Sequence, residues 1–348
     1  MKISLIRRRR HQLGGPPRPL LRVLRRTVRR RLQARYASFL NTSAIDALAS
    51  VGVNVLRVPT TYAAWTDVPG SQYHRGNQTR FLRTVANYAI EKYGMHVVSD
   101  LHSLPGGVNG LDIGETFGHM AWFNNQTNLD YSYAAVDAVL AFIKDSGHLN
   151  AFTIAPINEA ADNLDKFALP AGLSQSSADW IVKYMKGVLA KVEAVDRRIP
   201  VMLRTASRAR PSGRPSLSRR PTWSWTCTST TSPCPTPSPT TWCPRSAASR
   251  ASWRRTRSSR PSSASGPLQA ANNNSLAVAE RKTNFDTQRF AWQRDASGGS
   301  FWNAASYSVD KVDGDGIQRD YWSYVDLINA GVITKPSPFA FLLEERGL

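Results

Sequence analysis

The sequence lacks acidic residues over two long stretches. Residues 1–40 contain 13 lysines and arginines without one Asp or Glu, and residues 204–266 contain 12 arginines without an acid. The formal net charge of +20 would by itself favour nucleic acid or an acidic membrane surface as partner. The rest of the chain, however, has 20 basic and 25 acidic residues, a net charge of −5. We therefore expect neither a nucleic-acid partner nor a membrane partner.

Other absences exclude further classes of protein. All three cysteines lie within 204–266, so the body has no thiol for a disulfide or a thiolate metal site. No run approaches the roughly 18 apolar residues of a membrane span. The arginine-rich N-terminus has no apolar core of a secretory signal, although it would also fit a mitochondrial presequence. The histidines are scattered and no Gly-rich phosphate loop is present, so we expect no metal and no cofactor.

Strands and helices alternate along most of the chain. Short β-branched runs predict strands, and apolar residues at helical spacing predict helices between them. The predicted strands are 53–59, 95–101, 152–157, 199–203 and 298–307, and the predicted helices are 79–94, 131–147, 176–195 and 284–295. A capping-box pattern, Ser176 with Asp179, predicts the start of the third helix. Such alternation predicts an α/β fold in which helices cover a parallel sheet.

Polar and aromatic side chains follow the predicted strands. In a parallel barrel the working residues lie at the carboxyl ends of the strands. These ends carry an arginine, an imidazole, an amide beside a carboxylate and an indole, namely Arg57, His102, Asn158, Glu159 and Trp302. Each alone has an ordinary structural explanation, such as an ion pair or a core position. Their combination, in this order, predicts a single site.

Five motifs together resemble glycoside hydrolase family 5, and within it the fungal exo-β-1,3-glucanases. They are VNVLRVPTTYAAW, DLHSLPGGVNG, INEA, FWNAASY and YWSYVDLINAGV. The resemblance covers about residues 36–203 and 267–335. It implies a (β/α)8 TIM barrel that hydrolyses β-glucan with retention, acting as a monomeric exo-β-1,3-glucosidase on fungal cell-wall glucan. It also implies an extracellular or cell-wall location.

The resemblance assigns a role to each candidate residue. Glu159 would be the general acid/base, and the other five would hold substrate or position the nucleophile: Arg57, His102, Asn109, Asn158 and Trp302. Within that set, Asn158 would hold the sugar 2-OH, Arg57 would orient the nucleophile, and Trp302 would be a stacking platform. The chain departs from the family pattern at Ala160, where a proline is usual.

The nucleophile is missing from its expected position. The family places it in a Gly-Glu-Trp at the end of the seventh strand, where this chain reads SSASG, and no glutamate lies between Glu193 and Glu280. Read one base over, the codons of Ser263–Gly266 can encode Gly-Glu-Trp, with the glutamate straddling Ala264 and Ser265. The same shift turns TWSWTCTST into an apolar strand that can end in His-x-Tyr, the family's sixth-strand signature.

We therefore interpret residues 204–266, which use only nine amino-acid types, as a stretch translated in the wrong frame. The alternative is a Ser/Pro/Arg-rich linker. The expected parts are a basic, disordered or misread segment 1–35, one barrel domain 36–335 interrupted by 204–266, and a C-terminal tail 336–348. We expect damage at strand 1 and strands 6–7, and an inactive chain. A non-catalytic glucan-binding protein and a polyanion-binding protein on the barrel scaffold stay open as alternatives.

The frame interpretation makes a prediction about the gene. Sequencing the DNA across codons 200–270 should show, one base over, a glutamate codon spanning Ala264 and Ser265 between glycine and tryptophan codons. If the shifted frame carries no such codon, the missing carboxylate has another origin and the interpretation is wrong.

Overall fold

A computed structural model gives the three-dimensional structure of the chain. It describes residues 18–205 apart from residues 72, 114 and 168, and then residues 223–228, 262–264, 274–295 and 299–336. Ser265, most of the 204–266 stretch and nearly all of the predicted tail 336–348 lie outside the described residues.

Seven parallel strands form one sheet in which each strand pairs with its neighbours in chain order. The strands are β1 Val55–Thr61, β2 His96–Ser103, β3 Phe152–Ala155, β4 Val201–Thr205, β5 Trp223–Thr228, β6 Ser262–Ala264 and β7 Ser300–Phe301. The helices are α1 Arg18–Ser38, α2 Thr42–Ser50, α3 Gln78–Tyr93, α4 Gln126–Asp145, α5 Gln175–Asp196, α6 Val278–Asp295, α7 Arg319–Trp322 and α8 Tyr324–Asn329. The predicted α/β fold of barrel type is confirmed.

The expected damage to the sheet is only partly present. No strand precedes β1 among the described residues, and β1 and β7 are the two edges of the sheet. At the positions of strands 6 and 7, where damage was expected, the described residues form the two short strands β5 and β6. The sequence of β5, WSWTCT, alternates large or apolar residues with hydroxyl residues. This two-residue period favours a strand, whichever reading frame produced the segment.

The described part of the N-terminal segment is helical. Residues 18–35, which belong to the segment expected to be disordered or misread, form most of helix α1. Alanine, leucine and arginine favour helix, and no glycine or proline interrupts the segment after Pro19. Helix α2 follows and packs beside β1, α3 and α8 through Ile45 and Leu48. The two helices therefore lie beside the sheet edge where the first strand of a complete barrel would be.

The main core lies between the sheet and helices α4 and α5. Four apolar residues at helical spacing on α4 are fully or almost fully buried there, namely Val136, Val139, Leu140 and Ile143. Helix α5 begins differently from the prediction, since Ser174 is its N-cap and accepts a hydrogen bond from the backbone N–H of Ser177. None of the helices in the described part of the chain is long and apolar enough to span a bilayer.

One half-buried histidine couples the stability of this core to pH. His96 begins β2, and its Nε2 atom lies 2.8 Å from the Thr153 hydroxyl on β3. Burial lowers the pKa of His96 to about 4, from an ordinary value of about 6.5. The folded chain therefore holds this imidazole neutral at pH values where the unfolded chain protonates it.

The free energy of unfolding should fall as the pH decreases from about 6.5 to about 4, because the unfolded chain then binds a proton that the folded chain does not. The part due to His96 should approach about 3 kcal/mol at the acid end. Urea unfolding at a series of pH values measures it, with the His96→Gln variant as control. The variant should show a flatter pH dependence; two parallel curves would contradict the assignment.

Candidate active site

Four parallel strands and the segments that directly follow them carry the predicted residues, with Arg57 inside β1 and not at its carboxyl end. Arg57 lies on β1 and His102 on β2, while Asn158 and Glu159 follow β3 and Trp302 directly follows β7. Because β1, β2 and β3 are neighbours in a parallel sheet, their ends meet at one edge.

A hydrogen-bonded network joins the first three strands. The Nη2 atom of Arg57 lies 2.6 Å from Oδ2 of Asp100 and donates to Oδ1 of Asn158 at 2.8 Å. The Nδ1 atom of His102 lies 2.8 Å from the same Asp100 oxygen, and its Nε2 lies 3.4 Å from Nδ2 of Asn158. A carboxylate only accepts, so Asp100 selects the tautomer of His102 that carries its proton on Nδ1.

Asp100 is the central residue of this network, and the sequence analysis missed it. Its side chain is fully buried, and that of Arg57 is 13% exposed. The available signal was an aspartate inside the apolar run VVSDL, two residues before His102. Two residues apart on a strand, the side chains point to the same face, and a buried carboxylate requires a charged or hydrogen-bonding partner.

The turn that carries Glu159 is held by its backbone. Glu159 has a φ of 49°, in the left-handed region that side-chain-bearing residues rarely adopt. Asn109 donates from Nδ2 to the Glu159 carbonyl at 3.2 Å, and the Ala161 N–H donates to the Val108 carbonyl. Just before the turn, the buried Tyr184 hydroxyl donates to the Pro156 carbonyl at 2.9 Å. The backbone of the Glu159 turn is therefore held by the loop after β2 and by α5.

Asn109 has contacts of a positioning residue. It is 2% exposed, and its amide oxygen also accepts from the Leu111 N–H. Its predicted contact with substrate stays a prediction, whereas its contact with the Glu159 turn is present.

Trp302 supplies the aromatic surface of the site. It is 37% exposed, and its ring stacks on His102 at 5.6 Å between centroids with an interplanar angle of 15°. The following residue is tied down, because the Asn303 N–H donates to the Trp322 carbonyl. A partly exposed indole beside polar groups suits the apolar face of a sugar ring.

Other carboxylates near this end of the sheet are already engaged. Glu115, in the loop after β2, accepts hydrogen bonds from the Tyr62 hydroxyl at 2.8 Å and the Gly106 N–H at 3.3 Å. Burial raises the pKa of Tyr62, so its hydroxyl stays a donor. Asp100 is held by Arg57 and His102. Asp100 and Glu115 thus both make contacts that hold this end of the sheet together.

The position expected for the nucleophile carries no carboxylate. Strand β6 ends at Ala264, which pairs in register with Phe301, the residue before Trp302. Ser265, the other expected position, lies outside the described residues. Within those residues, no group of three or more His, Cys, Asp or Glu side chains is arranged to hold a metal ion.

Replacing Asp100 by asparagine should destabilise the chain strongly. The change leaves the Arg57 charge buried without its partner, a loss of about 3–5 kcal/mol in the free energy of unfolding. Urea unfolding measures it, and Asp67→Asn is the matched control because the Asp67–Arg75 ion pair is exposed. The control should change stability by less than about 1 kcal/mol. Equal effects of the two substitutions would show that the buried pair does not hold the site.

Comparison with known proteins gives several relatives. No protein-family model matches the chain. Over 96 residues it is 41% identical to glucan 1,3-β-glucosidase 1 of Schizosaccharomyces pombe, which is 28% of this chain and 23% of that protein. A probable glucan 1,3-β-glucosidase A of Aspergillus niger is 28% identical over 166 residues, 48% of this chain and 36% of that protein. The matches therefore span less than half the length of these relatives.

A solved structure matches over a much longer range. The crystal structure of rutinosidase from Aspergillus niger superposes with a TM-score of 0.71 and 35% identity, covering 87% of this chain and 85% of that one. Together with the site geometry and the ordered motifs, these matches identify the family: the chain belongs to glycoside hydrolase family 5 and resembles its fungal glucan 1,3-β-glucosidases.

Proposed function

We propose that the chain derives from a retaining β-glucan hydrolase, an exo-β-1,3-glucosidase, and that it is itself inactive because its nucleophile is missing. The observation that carries the proposal is the pairing of an ordered acid/base position at Glu159 with Ala264 at the end of the strand that should supply the second carboxylate.

Retention requires two carboxyl groups roughly 5–5.5 Å apart on opposite sides of the scissile bond. One is protonated and gives its proton to the leaving oxygen, while the other is ionised and attacks the anomeric carbon. Glu159 suits the first task because its backbone is fixed and its side chain is half-buried beside Asn158. Without the second carboxylate, no glycosyl-enzyme intermediate can form.

An unpaired N–H of Arg57 supports the proposal that a carboxylate is missing beside it. The Nε–H of Arg57 is buried and has no hydrogen-bond partner among the described residues, although Nη2 of the same guanidinium has two acceptors. Buried donors are almost always paired. The resemblance assigns Arg57 to orient the nucleophile. Its Nε–H is a donor that a nucleophile carboxylate would accept from.

The sugar-binding side of the site supports a glucan as substrate. Trp302 offers a flat, partly exposed ring that stacks on His102. Asn158 uses its oxygen on Arg57 and one side of its amide on His102, so one amide hydrogen remains for a sugar hydroxyl. The β-1,3 linkage is proposed from the relatives, whose names state that they act on it.

Three proteins test this function on laminarin. They are the chain as written, the chain with residues 204–266 re-read in the shifted frame, and the re-read chain with its new glutamate changed to glutamine. Only the second should release glucose, and it should release the β-anomer first, as NMR can observe. The other two should be slower by about 10⁴-fold or more, because they lack the nucleophile.

Two further measurements make the test decisive. Glu159→Gln in the re-read chain should also abolish turnover of laminarin, and circular dichroism should show that each protein is folded. Turnover by the chain as written at the rate of the re-read chain would overturn the proposed inactivity. A folded re-read chain without glycosidase activity would overturn the proposed ancestry.

The exposed stacking surface favours a second candidate function, glucan binding without cleavage. Trp302 and Asn158 need no nucleophile to hold a sugar. Calorimetry of the chain as written with laminarioligosaccharide should show binding that Trp302→Ala weakens, if this second function is present. No heat of binding at any oligosaccharide length would exclude it.

A further inference from the structure

Helix α1 carries an uncompensated positive charge. Its 21 residues include eight arginines and no acidic residue. Its side chains are described from Arg26 onward, and every residue from Arg26 to Arg31 is exposed. The four arginines of that stretch form no ion pair with any carboxylate in the described part of the chain.

The same helix has an apolar face. At about 100° per residue, positions 20, 21, 24 and 28 fall within an arc of about 100°, and these positions are Leu20, Leu21, Leu24 and Val28. Val28 is 53% exposed. Arg31 and Arg35 continue the same arc in the second half of the helix, so the arc is apolar only over positions 20–28, where arginines lie on the other faces. A short apolar arc beside arginines is typical of helices that lie on a membrane surface.

The C-terminal half of α1 is attached to the body. Gln33 accepts a hydrogen bond from the Asn77 N–H at 3.1 Å, and the Arg35 guanidinium lies 4.2 Å from the Tyr307 ring centroid. Asn77 lies in the loop after β1 and Tyr307 in the loop after β7. The helix is therefore anchored at the end of the sheet that carries the candidate site.

We propose that α1 docks the chain on the surface of an acidic phospholipid bilayer. The arginines bind the anionic headgroups, and the apolar face enters the interfacial region. A bilayer explains both faces of the helix, whereas a nucleic acid would neutralise the arginines and leave Val28 in water. The docking is independent of the proposed glucan chemistry.

The expectation of no membrane partner rested on charge averaged over the body. Outside the two acid-free stretches the chain has a net charge of −5, so the body adds no attraction of its own. In the structure, part of the excess charge is gathered on one ordered, exposed helix. Electrostatic attraction to an anionic surface falls off within about 10 Å in salt solution. Arginines gathered on one helix can all lie within that distance of the surface together.

Vesicle flotation tests the proposal with the full chain. The chain should bind vesicles of phosphatidylcholine mixed with phosphatidylserine and should not bind vesicles of phosphatidylcholine alone. Binding to the mixed vesicles should weaken as the salt concentration rises.

Two α1 variants and a charge-matched control locate the binding. Changing Arg26, Arg29 and Arg30 to glutamine should weaken binding on the order of 100-fold, at about fivefold per arginine. Val28→Asn should weaken it several-fold, because the apolar face then inserts less well. The control changes three exposed cations elsewhere to glutamine, namely Arg80, Lys144 and Arg197, and should bind like the parent chain.

Three outcomes would overturn the proposal. The first is equal binding by the triple-arginine variant and the parent, which would assign binding to the arginines of 204–266. The second is unchanged vesicle binding by Val28→Asn, which would show that the arginines attract the helix to the bilayer but that its apolar face does not insert. The third is binding to heparin or oligonucleotide with no binding to the mixed vesicles, which would make α1 a polyanion site. The substituted α1 side chains are exposed, so circular dichroism should show unchanged folding in every variant.

Discussion

The buried ion pair between Arg57 and Asp100 is the contact on which the rest of the site depends. It joins β1 to β2. Arg57 also donates to Asn158, and Asp100 also contacts His102, so the pair links four residues from three chain segments. Two charges are removed from water here, and the loss of hydration is offset only while each has its partner. The pair therefore fixes geometry more than it adds stability. Trp302 is included through its stacking on His102.

This dependence explains why the contacts around Glu159 are present although no carboxylate stands at Ala264. Among the described residues, the turn that carries Glu159 is held by contacts from the loop after β2 and from α5. The acid/base half of the site is thus built by residues 55–185, which also contain much of the main core. The nucleophile half depends on β6, whose three residues pair with only two residues on each neighbour. Damage to one half leaves the other in place.

Much of the fold could be predicted from sequence because hydrophobic period and strand-end polarity are local signals. The four strands before residue 206 and helices α3 to α5 lie close to their predicted places. On α3, Leu82 and Ala86 are buried in the main core and Ala89 is buried in the cluster that includes Ile45 and Leu48 of α2. Asp100 was missed because its partners lie 43 residues before it and on its own strand, and no local pattern encodes an ion pair across strands. Strand β5 was missed because composition was given more weight than its alternating pattern.

The open edge of the sheet connects these observations. A barrel closes when its first and last strands pair, and closure leaves no strand edge unpaired. Among the described residues β1 and β7 are the edges of the sheet, and α1 contacts the loops that follow both of them through Gln33 and Arg35. These contacts join the two sides of the gap at the site end, while α2 and α8 pack together beside β1. Helix packing can bury apolar surface at such an edge, but it cannot satisfy the ladder of backbone groups along β1. The structure therefore combines a well-ordered half that holds Glu159 with an incomplete closure, and catalysis requires both halves.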